Sequence, residues 1–154
     1  MTLTLVFQID GRDYGLEIDV VQEIIEDPVR YPVPRSGPFL CGALNVHGEV
    51  LPVVDLPALM ETTTTERDAR LVVLSPEQRG VALLVNRVER IVSLDLDKRL
   101  LAEEASADPY CRGLVERIYG SPVRMLDLDT VYNQLEQLFN DNGGKHYALE
   151  SDDC

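Results

Sequence analysis

The residues of this chain with chemistry to offer are two histidines, three cysteines and a surplus of carboxylates. Cys41 and His47 lie near each other in sequence, close enough to suggest a nucleophile with its base or two ligands of a metal. A structural zinc site shows two close pairs of ligands, and here there is a single loose pair. Cys41 also sits in an apolar run, where a thiol behaves as a small hydrophobe. The runs Asp95-Leu96-Asp97 and Asp127-Leu128-Asp129 set carboxylates side by side, as a small acidic hydrolase would need. Asp129 is more simply read as the cap of a following helix. Asn142-Gly143-Gly144-Lys145 lies past the last helix rather than between a strand and a helix, so it is no phosphate loop. No Gly-x-Ser-x-Gly elbow occurs. Without a convergent acid, base and nucleophile, the sequence predicts no enzyme, no metal and no cofactor.

What must position these residues is a globular chain of 154 residues, 45% hydrophobic and 27% charged. That is one ordinary domain, or two small barrels sharing a core. Fourteen basic against 27 acidic residues leave a formal net charge of −13. Such a field repels phosphate backbones and anionic lipid, which argues against nucleic acid and favours partners with basic patches. No apolar run approaches the ~18 residues that span a bilayer, and Met1-Thr2-Leu3-Thr4 begins no secretory signal. Cys41, Cys111 and Cys154 are too few and too scattered for a disulfide framework. A cytoplasmic protein without membrane insertion is expected.

The rhythm along the chain is short β-branched runs punctuated by Gly and Pro. Residues 3–9 and 14–18 read as a hairpin turning at Asp10-Gly11. Residues 19–25 read as a two-turn helix, with Asp19 as cap, Gln22 completing a capping box and Pro28 as the stop. Val20, Val21, Ile24 and Ile25 would share its apolar face, with Glu23 and Glu26 on the rim and Val21 left at a groove. Residues 29–31, between prolines, make a short edge segment. Residues 39–46 and 50–56 form strand, turn and strand, with Gly48 supplying a positive φ and Pro52 at an edge or bulge. The polar stretch 61–68 reads as a surface loop between two halves. Strands follow at 70–74, 81–85 and 89–94, then a final hairpin over 111–119 and 123–128. An amphipathic helix, with Val131, Leu135, Leu138 and Phe139 on one face, closes the domain near residue 140. Residues 141–154 read as a disordered acidic tail.

The series Phe39-Leu40-Cys41-Gly42-Ala43-Leu44-Asn45-Val46-His47-Gly48-Glu49-Val50-Leu51-Pro52-Val53-Val54-Asp55-Leu56 resembles the signature of CheW-like domains. There an apolar pair, a glycine, an Asn-x-Arg-Gly turn and an apolar-Pro-apolar-apolar-Asp-Leu strand follow in that order. Upstream, Tyr14-Gly15 and then Val21-Gln22-Glu23-Ile24 are similar to the family's first hairpin and helix. The resemblance runs over residues 3–139.

It implies a mainly β fold of two small five-stranded SH3-like barrels on a shared core, with a short helix after the first hairpin and a C-terminal helix. It further implies a non-enzymatic adaptor that joins the signalling tip of a chemoreceptor to the regulatory domain of a CheA-type histidine kinase. The matching positions for partner binding are Val21, Glu23, Ile24, Gly42, Asn45, His47 and Gly48. One position departs from the pattern: His47 stands where the family turn has arginine, a permanent cation with a planar fork of donors. That departure leaves open a module of a non-flagellar chemosensory system, or a competitor uncoupled from the kinase.

Overall fold

The computed structural model describes residues 1–33, 37–78, 80–100 and 103–142. Strand β1 (Thr2–Ile9) turns at Asp10 and Gly11, whose φ angles of 54° and 74° suit a tight two-residue hairpin, into β2 (Arg12–Glu17). The next segment corrects the expected helix over 19–25. Only Ile18–Val20 form a 3-10 turn, and β3 (Val21–Glu26) follows as a strand pairing antiparallel with residues 70–74. The predicted face was rich in β-branched residues, which lose side-chain freedom on a helix and pack well on a pleated surface. The expected cap at Asp19 is also absent: Glu17 precedes the turn and makes no side-chain cap bond.

Strands β4 (Leu40–Val46) and β5 (Glu49–Asp55) form the predicted hairpin, turning at His47 and Gly48. Pro52 faces Ala43 beside a register shift in β4, where its missing donor does no harm. A single turn, α1 (Leu56–Leu59), leads into the irregular stretch 61–69. Then come β6 (Arg70–Leu74), β7 (Ala82–Leu84), β8 (Arg87–Leu94), β9 (Arg99–Leu100), α2 (Glu103–Ser106), β10 (Cys111–Val115), β11 (Val123–Leu126) and α3 (Leu128–Asn142).

Two sheets result, mainly antiparallel, one of six strands ordered β8-β1-β2-β11-β10-β9 and one of five ordered β3-β6-β7-β5-β4. Strands before and after the 61–68 stretch share the five-stranded sheet, so sheet membership does not change across it. Each sheet has its own small apolar cluster, Leu44, Val53, Val73 and Leu84 in one and Val6, Val115 and Val123 in the other. Between them lies a larger core to which both contribute, with Phe7, Tyr14, Val54, Leu56, Val72 and Leu83 packed against Val131 and Leu135 of α3. The shared core and closing helix thus match the sequence expectation. The expected tail begins at residue 141, but α3 runs to Asn142, and the remainder, 143–154, lies outside the described residues.

Candidate functional site

The edges of the five-stranded sheet, β3 and β4, are far apart in hydrogen-bonding order but meet in space. After β3 the chain bends so that Tyr31 bridges Ala43 of β4, with N to O distances of 2.9 and 2.8 Å in the two directions. This approach leaves no room for a side chain at Gly42. Its φ is 107°, and an added Cβ would stand 2.5 Å from the Tyr31 carbonyl oxygen. The edge segment expected over 29–31 is therefore the closing piece of the sheet.

The second link across these edges is made by side chains. His47 occupies the β4–β5 turn with φ at 50°, next to Gly48 at 86°. Such a turn suits Asn or Gly, and here the Asn45 carboxamide steadies it by accepting from the Gly48 N–H at 3.1 Å. The turn projects the imidazole so that His47 Nε2 lies 2.7 Å from Glu23 Oε1 on β3. A register shift between Val21 and Glu23 re-aims the strand at this point. Of the sequence-predicted residues, Val21 is half-buried against the shared core, whereas Ile24 is 38% exposed. Val21, Glu23 and Ile24 lie on β3, and Gly42, Asn45, His47 and Gly48 on β4 and its turn; of these, Glu23 and His47 meet across the two edges.

Several polar residues that hold this frame escaped the sequence reading. Asp55 caps α1, its Oδ1 accepting from the Ala58 N–H at 3.1 Å, and receives Arg67 Nε at 3.0 and 3.2 Å. Asn86, buried, accepts from the Asp10 N–H at 2.9 Å and donates to the Glu66 carbonyl at 2.7 Å, tying the first hairpin to the 61–68 stretch. Asp68 accepts from the Arg70 side chain and from the backbone N–H groups of Arg70 and Val88. Burial pushes its carboxyl up, but these hydrogen bonds outweigh that and hold it below its ordinary range. Tyr14 donates to Asp108, which also receives Arg124 at 3.2 Å and the Tyr110 N–H at 2.9 Å. Burial, then the bond to Asp108 and its charge, push the Tyr14 hydroxyl far up, against a smaller pull from Arg124 and Arg12. Asp55 and Tyr14 fall within the motifs quoted above, yet nothing in their spacing names distant partners such as Arg67 or Asp108.

The chemical alternatives fit the geometry poorly. Cys41 is half-buried against the smaller core cluster, and the imidazole of His47 is turned to Glu23. Among the described residues no three His, Cys, Asp or Glu side chains gather as a metal site would need. The helix cap is corrected from Asp129 to Asp127, whose Oδ1 accepts from the Thr130 N–H at 3.2 Å. Beside these two carboxylates is an open groove of about 290 Å³ holding Glu17, Arg112 and Asp127, with no histidine or cysteine. A larger groove of about 710 Å³ has Tyr14, Asp108 and Tyr110 along it, with Asp108 paired to Arg124 and no histidine or cysteine in the lining. Among the described residues no helix is long and apolar enough to cross a membrane.

Paired sheets on one shared core, closed by a C-terminal helix, define a two-sheet, mainly β scaffold. The comparisons agree. A family model for the CheW-like domain matches residues 3–136. The chemotaxis protein CheW of Thermotoga maritima is 27% identical over 135 residues, covering 85% of this chain and 87% of that one. Its counterpart in Rhizobium meliloti is 28% identical over 138 residues, covering 86% and 88%. The crystal structure of the scaffolding protein TtCheW from Thermoanaerobacter tengcongensis superposes with a TM-score of 0.70 at 18% identity, covering 82% of this chain and 88% of that one, which shows the shared fold. The chain belongs to the CheW-like family, a family of non-enzymatic chemotaxis adaptors.

Proposed function

We propose that this chain is a cytoplasmic scaffold coupling the signalling tips of chemoreceptors to the regulatory domain of a CheA-type histidine kinase. The observation that carries the reading is the seam between β3 and β4. Two of the seven positions that the family resemblance implies for partner binding, Glu23 of β3 and His47 of the β4–β5 turn, touch there, which supports the reading. The β3 edge offers Ile24 and half-buried Val21 to an amphipathic helix, the form a receptor tip presents, while the adjoining turn offers polar groups for the kinase. Adaptor work of this kind needs complementary surfaces and no titrating catalytic group.

Isothermal titration against the regulatory domain of a CheA-type kinase from the same organism, and against a receptor tip fragment, tests this. Micromolar binding, about −8 kcal/mol, is expected for each. Failure to bind either partner would overturn the reading. Binding of the receptor fragment alone would make the chain a competitor uncoupled from the kinase. That second reading is favoured by one observation, that the residue in the family's arginine position is engaged by Glu23 within the chain. His47→Arg separates the two: recovered kinase affinity assigns the loss to this position.

A further inference from the structure

We infer that Cys41 is a redox modification site, whose disulfide with Cys154 draws residues 143–154 across strand β4 and closes that edge to a partner. The bond stands apart from the scaffold reading above; its effect on partners rests on that reading.

Cys41 lies on β4 directly before Gly42, half-buried, and is joined in a disulfide. The sequence holds three cysteines, and Cys111 is a free thiol. Within one chain this leaves Cys154 as the other half of the bond. Cys111 is in any case the wrong partner. It belongs to the six-stranded sheet through β10, whereas Cys41 belongs to the five-stranded one. Burial, together with the charge of Asp108, also pushes the Cys111 thiol up against a hydrogen bond from the Gly113 backbone. A thiol so held stays protonated and reacts slowly.

The chain is long enough to make the link. Leu40, beside Cys41, and Leu138, near the end of α3, border the same shared core. From Asn142 at the end of α3, the twelve residues to Cys154 span up to about 40 Å when extended. A compact domain of this length has a radius of gyration of about 14 Å, so that reach is comparable with its width. Gly143-Gly144 directly after the helix lets the chain turn back.

The bond forms by thiol–disulfide exchange with a low-molecular-weight disulfide such as oxidised glutathione. The Cys154 thiolate attacks one sulfur of that disulfide and expels a thiolate. The Cys41 thiolate then attacks the Cys154 sulfur of the mixed disulfide and expels the second. The two protein thiols lose two electrons and two protons, and the small disulfide becomes two thiols. Cys41 Sγ lies 3.8 Å from Asp55 Oδ2, but Arg67 neutralises that carboxylate at 3.0 Å, so the sulfur faces no unbalanced negative charge. Disulfides of this transient kind are the ones that serve as sensors in a reducing compartment. A chain crosslinked at Cys41 carries Asp152 and Asp153 to the vicinity of Gly42 and the Tyr31–Ala43 bridge. A segment bonded there excludes a partner from the β4 edge.

The test begins with the full chain equilibrated in mixtures of reduced and oxidised glutathione. Its thiols are trapped by alkylation, and the digest is mapped by mass spectrometry without reduction. A peptide pair joining Cys41 to Cys154 is expected in the oxidising mixtures, lost on adding dithiothreitol, with Cys111 alkylated throughout. Cys154→Ser should abolish the pair and Cys111→Ser should keep it. Cys41 found alkylated in every mixture, or bonded to Cys111, to glutathione alone or to a second copy of the chain, would overturn the inference. Calorimetric titration with the kinase regulatory domain and with the receptor fragment then compares the two redox forms. The oxidised chain should bind at least one of them about fivefold or more weakly than the reduced chain, and Cys154→Ser should bind alike under both conditions. Equal affinities of the two forms would overturn the closure of the edge while leaving the scaffold reading intact. A reduced chain that binds neither partner would overturn the scaffold reading and the closure with it, the bond itself being decided by the peptide map.

Discussion

Arg67 reaches from the irregular stretch after α1 to the buried carboxylate of Asp55, its Nε 3.0 Å from Oδ1 and 3.2 Å from Oδ2. The same Oδ1 caps α1 through the Ala58 N–H, and Arg67 Nη1 donates to the carbonyls of Thr64 and Glu66. One ion pair thus fixes the end of β5, the start of α1 and the path of the chain to β6. It does so with little solvent screening, since the two side chains are only 17% and 6% exposed.

Removing one partner of such a pair leaves a buried charge, a loss of about 3–5 kcal/mol. Asp55→Ala should lower the unfolding free energy by that order, because it strips the helix cap as well. Arg67→Met keeps the apolar stem and should cost less, since the remaining carboxylate still has the Ala58 N–H. Urea unfolding of the two variants checks the order. Equal and small losses would show that the pair is solvated in solution.

Asp68 gives the acid limb of stability a specific source. Its folded-state carboxyl lies below the ordinary value of 3.8 despite burial, because Arg70 and two backbone N–H groups favour the charged form. A depressed folded pKa contributes stability above the unfolded value and loses it as pH falls through the folded one. The wild type should therefore weaken progressively below about pH 4. Asp68→Asn should be less stable at neutral pH, with a shallower slope through the acid range. Parallel slopes for the two proteins, from urea midpoints over that range, would remove Asp68 from the account.

Much of this architecture was legible because turns and strands announce themselves locally. Asp10-Gly11 and His47-Gly48 mark tight hairpins, and β-branched runs between them mark strands. The same local reading failed at residues 19–25, where Val20, Val21, Ile24 and Ile25 fit a helical stripe by spacing while their branching favours a strand. Tertiary pairing with β6 decided the matter. Asp129 was credited with a cap that Asp127 makes, an ambiguity of two positions that only the backbone resolves. The seam was half legible. Its residues came from the family pattern, but the contact joining Glu23 to His47 spans two sheet edges, and no spacing in sequence encodes that.

The hydroxyl of Tyr14 should be silent in an alkaline titration. Burial and the bond to Asp108 place its ionisation well above that of an ordinary tyrosine, near pH 10. Tyrosinate absorbance followed against pH checks this. Tyr14→Phe should leave that curve unchanged up to the onset of alkaline unfolding. A loss of amplitude in the variant before unfolding would mean that Tyr14 ionises in the folded state.

Two glycines of the seam should respond to the same substitution in opposite measure. Gly42 and Gly48 both have positive φ, 107° and 86°, so an alanine at either is strained. At Gly48 nothing lies within 4 Å of an added Cβ, and the cost is that of the backbone alone, about 1–2 kcal/mol. At Gly42 the Cβ would stand 2.5 Å from the Tyr31 carbonyl oxygen, whose own hydrogen bond with the Ala43 N–H closes the sheet. Backbone cannot yield there as a flexible side chain would, so Gly42→Ala must open the Tyr31–Ala43 bridge. A loss of about 3 kcal/mol or more is expected, with faster amide exchange at Tyr31 and Ala43. Gly48→Ala should leave the exchange of both amides near that of the wild type. If Gly42→Ala proved no more costly than Gly48→Ala and kept both amides protected, the close approach at Gly42 would be disproved. Gly42 would then bear on partner binding alone.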